Sequence, residues 1–557
     1  MAHEVVVRRH DRRRHGAPAY TGDVAIDDGC IAAVGGTLDG RRVIDAAGAV
    51  VAPGWVDVHT HFDGQVTGRP ARPVVLERRH SLVMGNCGVG FAPCPPGGEQ
   101  TLIELMEGVE DIPGTALYEG VPWGRWTSFP STSTSSPPAS TRMDVGAQVP
   151  HGALRYGRWA SAGATTTPRP TTSPRCAVWW PRPSLRARFG VSTSRTIFHR
   201  SIDGTAVPGT YANNDELMAL AAGIVDGGGA VFEAITSSSI GAMEGLGGER
   251  FSQQHELHLL DLIARTTGRP VTFTTTQSRD YPEAWREVLA FAEAQNATGS
   301  HLYPQVASRP IGIMSTLAGY HPFMRRRAYL DLAHLPTAER ALAMSEPTMK
   351  QAILHGDDVP PAQMGSMEAL YLALQMATPI MFALDEVVDY EPGPERSFAA
   401  LAAAAGVTPL ERMYDFVCEG DGTNVAALLG AGYVHGNLDA MREMLTSPVT
   451  VTGLADAGAH VKLICDGSAP STQLTLWTRD RTRGDTIPLE FVVEKQTRRS
   501  ARLYGLHDRG TLEVGMRADV NVIDLDRLSV RRPVGHDDLP AGGFRFLQPV
   551  QGTSPRS

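Results

Sequence analysis

The stretch Pro53-Gly54-Trp55-Val56-Asp57-Val58-His59-Thr60-His61-Phe62-Asp63-Gly64 constrains this chain more than any other. Pro53-Gly54 breaks whatever precedes it. Trp55 to Val58 then has the composition of a short buried strand. Side chains alternate across a strand, so Asp57, His59 and His61 are expected on one face. Two imidazoles two residues apart at a strand end can bind one metal ion from one side, and imidazole is a favoured ligand of zinc and other transition metals. An isolated His-x-His is as readily a hydrogen-bonded surface pair; the Pro-Gly break and the buried strand before it favour the metal.

The longer segment VVAPGWVDVHTHFDGQVT, with MGNCGVGFAP at 84–93, resembles the D-aminoacylase (N-acyl-D-amino-acid deacylase) branch of the amidohydrolase superfamily. The resemblance runs with gaps to the C-terminus. It implies a (β/α)8 barrel beside a small β-sandwich, zinc as one or two divalent ions, and a small-molecule N-acyl amino acid as substrate, of D configuration.

At 557 residues, with 42% hydrophobic and 20% charged residues, the chain is an ordinary globular protein, long enough for a barrel with insertions. A net charge of −9 gives no reason to expect nucleic acid or an anionic membrane as partner. No run of about 18 apolar residues exists to span a membrane, and the N-terminus carries no apolar secretory core. Six scattered cysteines do not form a disulfide framework, which points to a reducing cytoplasm. Oligomeric state is not encoded in any pattern visible here.

Residues 24–34 read as a hairpin turning at Asp28-Gly29. Strands around glycines at 507–526 answer it, so one small β domain is expected from both ends: 1–52 and 501–557. Between them, 53–500 alternates apolar strands such as 231–236, 270–274 and 449–453 with helical runs at 254–266, 282–295 and 486–504, the pattern of a parallel sheet. Residues 8–16, 68–81 and 129–188 break it, being rich in Arg or in Ser, Thr and Pro. Read one base on, a GC-rich coding of RHDRRRHG gives Gly-Thr-Ile-Val-Asp-Gly-Thr, a strand and turn. These stretches are therefore read as out-of-frame; an unbroken frame on resequencing refutes this.

Amide hydrolysis at neutral pH needs a strong nucleophile and a polarised carbonyl; a bound metal supplies both, and a carboxylate can pass the proton to the leaving amine. Cys87, glycine-flanked after a strand, is by itself a small buried hydrophobe; the resemblance makes it a metal ligand with His59 and His61. Asp456, in Gly453-Leu454-Ala455-Asp456-Ala457-Gly458, follows a late strand, where a barrel mouth lies. It is either a helix cap or, as the superfamily implies, metal-associated general base and acid. His151 matches a strand-end Gly-His of the family and is a candidate for shaping the pocket or holding the oxyanion. Arg195 and Arg309 are candidates to pair with a substrate carboxylate. D-aminoacylases carry two more histidine ligands on middle strands; here Glu233 and Gln277 stand near those strand ends and are candidates to approach metal or substrate. Gln253-Gln254-His255-Glu256-Leu257-His258 is one residue short of zincin spacing and reads as a helix surface. Rival readings are an enzyme opening a cyclic amide such as a hydantoin, and an inactive barrel that binds a ligand or partner.

Overall fold

The computed structural model describes residues 2–8, 21–46, 48–67, 79–124, 143–161, 189–238, 251–362 and 366–552. Most of the three irregular stretches lies outside them.

At the N-terminus, β1 (His3–Arg8), β2 (Val24–Asp27), β3 (Cys30–Val34) and β4 (Gly40–Asp45) form a sheet in the order β3-β2-β1-β4. The β2–β3 turn needs left-handed backbone at both centre residues, and Asp28 (φ 49°) and Gly29 (φ 72°) adopt it. β5 (Val50–Pro53) follows, and β6 (Trp55–Asp57) lies directly beyond the Gly54 break.

From there the strands run parallel. β6, β7 (Arg79–Met84) and β8 (Asp144–Ala147) form one sheet. β9 (Val149–Pro150), β10 (Gly190–Ser194), β11 (Val231–Ile235), β12 (Val271–Thr274) and β13 (Leu302–Val306) form a second, joined by β17 below. Every residue of β10, β11 and β12 is buried, as expected when both faces of a parallel sheet are covered. Helices provide that cover. α1 (Asp63–Thr67), α2 (Glu99–Glu110), α3 (Gly114–Gly120) and α4 (His151–Ser161) come first. α5 (Asn214–Gly227), α6 (Gln253–Thr267) and α7 (Ala284–Asn296) follow β10, β11 and β12. Asn213 and Ser252 cap α5 and α6 by accepting from the third amide onward, and Gly228 and Gly268 close them in left-handed conformation. Trp55, Trp285 and Trp477 are fully buried in the largest apolar cluster, beneath the strand ends that carry the site.

The α/β alternation expected through 53–500 is interrupted. Between β13 and the next parallel strand the chain builds an antiparallel sheet of β14 (Ile311–Ser315), β15 (Phe382–Ala383) and β16 (Ala426–Ala431). Short helices surround it, with their own core around Leu317, Phe323, Tyr414 and Phe398. β17 (Val451–Thr452) then returns beside β13, and a parallel bridge from Thr60 to Ala457 links the ends of β6 and β17. The helix expected at 486–504 forms with a π turn at Lys495–Arg499. β18 (Val520–Ile523) pairs antiparallel with β5, so the two chain ends meet, and Val7, Ile31, Val51 and Leu512 share one apolar cluster. Among the described residues no helix is long and apolar enough to cross a membrane.

Candidate metal centre

His59 and His61 leave the end of β6 into the molecule's interior, both 0% exposed. Asp57, expected beside them, instead accepts the His59 backbone N–H at 3.2 Å and holds the strand end. The His59 Nδ1–H donates to Gln305 Oε1 at 2.9 Å, which leaves Nε2 as the free lone-pair nitrogen. That nitrogen lies 3.3 Å from Cys87 Sγ and 3.1 Å from Asp456 Oδ1. His61 Nε2 lies 3.7 Å from the same sulfur and 3.8 Å from the same oxygen. Four side chains from β6, the turn after β7 and the loop after β17 thus converge.

The backbone is bent to bring them there. Cys87 (φ 57°) and Asp456 (φ 43°) are left-handed, as is nearby His460 (φ 49°), out of seven such non-glycine residues described. Such strain concentrates at functional sites. Gly88 is required beside Cys87: a Cβ there would lie 2.9 Å from the Ser194 amide nitrogen. Asn86 anchors the turn, donating to the Thr60 and Val83 carbonyls and accepting from Gln148.

Around these four lies a ring of titratable groups. Glu110, 1% exposed at the end of α2, places Oε1 3.3 Å from His61 Nδ1 and Oε2 3.5 Å from His460 Nε2. Glu233, 0% exposed on β11, has the Cys87 backbone N–H near its carboxylate, but among the described residues neither its oxygens nor His61 Nδ1 and Glu110 Oε1 have a well-aligned hydrogen bond. His199 bonds Ser194 Oγ through Nδ1 at 2.9 Å. Burial pushes Glu233 and Asp63 up to about 7, and Glu110 well above the carboxylate range, with neighbouring carboxylates adding to Glu110. Burial first, and then Glu110, Glu233, Asp456 and Asp63, push the Cys87 thiol up. Burial first, and then nearby histidines, lower His199 to about 3 and His460 to about 4, so both imidazoles are neutral. No lysine or arginine figures among the charges acting on these acids.

A buried group of acids and a thiol with no cationic side chain near it among the described residues, and with poorly paired acceptors, is short of positive charge. A divalent ion would supply it. Zinc–ligand lengths of about 2.0–2.3 Å imply ligand separations of roughly 3.3–3.7 Å in a tetrahedron. The His59, His61 and Cys87 ligand atoms lie within 4.8 Å of one another, with the Cys87 sulfur 3.3 and 3.7 Å from the two imidazole nitrogens; Asp456 stands beside this group of three, 3.1 Å from His59 and 3.8 Å from His61. The N, N, S, O donor set also suits zinc.

Other candidates sit elsewhere. His151 does not present a free nitrogen: Nδ1 bonds Thr193 Oγ1 at 2.9 Å and Nε2 bonds Glu216 at 3.0 Å, so it ties α4 to β10 and α5 rather than holding an oxyanion. Arg195 is 2% exposed and is committed to Glu256 (2.9 Å) and the Ala212 carbonyl, with its guanidinium over Phe251. Arg309, 3% exposed, spends its guanidinium on Ser468, Thr472, Gln548, Tyr390 and the Cys465 carbonyl. Neither arginine can leave such a network for a substrate carboxylate without abandoning buried polar groups. Gln277 accepts from the Val434 amide and belongs to the contact with that loop. His255 and His258 lie exposed on α6, while Glu256 between them faces inward to Arg195.

Glu110, Gln305, His199 and His460 are residues that pattern reading missed. Glu110 had a signal: it falls one turn after Met106 on the face of α2 formed by Leu102, Ile103, Met106 and Val109, where a carboxylate is out of place.

Comparison with known proteins places this geometry in context. A family model described as the amidohydrolase family matches residues 42–542. An N-acyl-D-aspartate deacylase of Alcaligenes xylosoxydans xylosoxydans is 43% identical over 81 residues, 14% of this chain and 16% of that protein. An N-acyl-D-glutamate deacylase of the same organism is 34% identical over 109 residues, 19% of this chain and 22% of that one. These alignments thus span less than a quarter of either relative. The solved N-acyl-D-glutamate deacylase of Bordetella bronchiseptica, complexed with zinc and a phosphonate inhibitor, superposes with a TM-score of 0.57 at 20% identity, covering 100% of this chain and 95% of that one. A D-aminoacylase with a binuclear metal centre gives 0.56 at 19% identity, covering 95% and 91%.

Proposed function

This chain belongs to the amidohydrolase family, and on that premise we propose that it is a zinc-dependent hydrolase that removes the acyl group from N-acyl-D-amino acids. The observation that carries the proposal is the convergence of His59, His61, Cys87 and Asp456, with separations of 3.1 to 3.8 Å, in a buried site short of positive charge. The curated relatives named for acyl-D-amino acids support the substrate class and its configuration.

His59, His61 and Cys87 would hold the metal, with Asp456 beside them. A bound zinc supplies Lewis-acid polarisation and lowers the pKa of a water. Asp456, the most exposed of the four at 14% for its side chain, takes a proton at its carboxylate and returns it to the leaving nitrogen. Gln305 and Glu110 orient the two imidazoles from behind. His199, neutral and close to His59, accepts from Ser194 Oγ at Nδ1 and offers its Nε2–H to the carbonyl oxygen, the role for which the sequence offers His151.

We extend the proposal to architecture. β6, β7, the interrupted strand β8–β9, β10, β11, β12, β13 and β17 are read as an eight-stranded barrel over 53–500, which the Thr60–Ala457 bridge would help close. The strands of 1–52 and 501–557 are read as the β-sandwich, with the reducing cytoplasm as compartment. The test is zinc content of purified protein together with a panel of N-acetyl-D- and N-acetyl-L-amino acids and cyclic amides. Zinc near one or two per chain and D-selective release of amino acid is expected. A protein that neither holds zinc nor cleaves any of them with zinc added overturns the reading.

A further inference from the structure

The loop that carries Asp456 is held in a conformation it would not keep by itself. Leu454 (φ 54°), Asp456 (φ 43°) and His460 (φ 49°) are all left-handed, which costs each of them free energy. Gly458 (φ 98°) lies between them and packs against the segment of the paired imidazoles: a Cβ there would lie 2.8 Å from the His61 carbonyl oxygen. Bonds from outside the loop therefore fix where the Asp456 carboxylate stands. The His61 N–H donates to the Ala457 carbonyl at 2.8 Å, and the His460 N–H to the Glu110 carbonyl.

Two further bonds trace to the far end of the chain. Strands Val534–Leu539 and Gly543–Leu547 form an antiparallel hairpin. Its Leu539 is buried in the same apolar cluster as Cys87 and Val461. Phe546 donates its backbone N–H to the Val461 carbonyl at 2.8 Å. Beside it Arg545, 3% exposed, is gripped by Asp538 through Nε at 2.6 Å and Nη2 at 2.8 Å. Its Nη1 donates to Gln65 Oε1 at 3.4 Å, 480 positions away in sequence. Gln65 Nε2 then donates to the Gly458 carbonyl at 3.1 Å. A guanidinium only donates and a carbonyl only accepts, so Arg545 and Gly458 together allow the Gln65 amide one orientation. Gln65 itself lies on α1, shortly after His61. It joins the segment that carries the imidazoles to the loop that carries the carboxylate.

Resting on the deacylase reading above, we propose that Gln65 and Arg545 are positioning residues for Asp456: through them the C-terminal hairpin clamps the Asp456 loop and sets the proton-accepting oxygen against the metal centre. Both act through Gly458 rather than on the substrate.

Two variants separate this role from a merely structural one. Gln65→Met removes both amide bonds. Gln65→Glu keeps an acceptor for Arg545, now as an ion pair, and loses only the donor to Gly458. Each zinc-loaded protein is assayed on the N-acetyl-D-amino acid that wild type cleaves fastest. A displaced base should lower kcat about 10- to 100-fold in both variants, with KM within about twofold of wild type. Zinc content should be unchanged, since His59, His61 and Cys87 are untouched. Hydrogen exchange read by mass spectrometry needs no substrate: the amides of 453–463 should exchange about three- to tenfold faster in both variants, the worth of one hydrogen bond. Gln65→Glu with the wild-type kcat overturns the proposal, because Gln65 then serves only to satisfy Arg545; so does a loss carried by KM or by zinc content. If wild type holds zinc yet cleaves none of the panel, the deacylase reading falls and the exchange rates alone decide. Faster exchange confined to 453–463 then upholds the clamp, and unchanged exchange overturns it.

Discussion

Glu110 offers the sharpest test of how the centre is held. Its carboxylate stands 3.3 Å from His61 Nδ1 and 3.5 Å from His460 Nε2, while the His460 backbone N–H donates to the Glu110 carbonyl. One residue thus braces a ligand from β6 and the loop that carries Asp456. Glu110→Gln keeps the shape and the main-chain bond but removes the carboxylate that a bound zinc would hold ionised beside the His61 Nδ1–H, where it raises the basicity of Nε2. Loss of such an outer partner costs about 10- to 100-fold in metal affinity, or roughly 1.4–2.7 kcal/mol. Zinc affinity measured by competition against a chromophoric chelator should fall by that factor, with the circular dichroism spectrum unchanged. Glu110→Asp should recover part of the loss. A Glu110→Gln protein that binds zinc within about twofold of wild type refutes the bracing argument, because the expected loss is at least tenfold.

Other consequences follow from the same coordinates. Asp456→Asn should lower kcat by about 10²- to 10⁴-fold and reduce zinc binding less than Cys87→Ser does; equal zinc loss in both would make Asp456 a ligand first and a base second. Arg195→Ala strands Glu256 without its cation, 2% exposed, and should cost about 3–5 kcal/mol in urea unfolding. A large rise in KM at unchanged stability would restore Arg195 as a substrate residue. Asp111, whose pKa burial raises to about 6, binds its proton more tightly folded than unfolded. Its contribution to stability is therefore fully present below the unfolded value near 3.8 and is lost as pH rises through about 6. The unfolding free energy of wild type relative to Asp111→Asn should accordingly fall between pH 4 and 6 and then level; a rise across that window contradicts the sign.

The His59-x-His61 pair was legible from the sequence because a Pro-Gly break and a buried strand lead into it, although that strand ends at Asp57 and both imidazoles lie just beyond it, and the Asp28-Gly29 hairpin because left-handed turns restrict residue type locally. The family resemblance carried Cys87 and Asp456 to the same place across long separations in sequence. Composition likewise marked α6 and α7 within a residue or two.

What the tertiary structure alone decided is which charges are free. Arg195, Arg309 and His151 look like site residues in one dimension, yet each is engaged by a partner brought in from elsewhere, Glu256, Gln548 and Thr193, with only the Arg195 Nη2 left unpaired among the described residues. Conversely Glu110 and Gln305 carry no local mark of function strong enough to single them out, and acquire one from what the fold sets beside them. The inserted antiparallel region was hidden for the same reason. Periodicity reports which face of an element is buried; whether a buried charge is neutralised depends on residues hundreds of positions away, and that pairing exists only once the chain has folded.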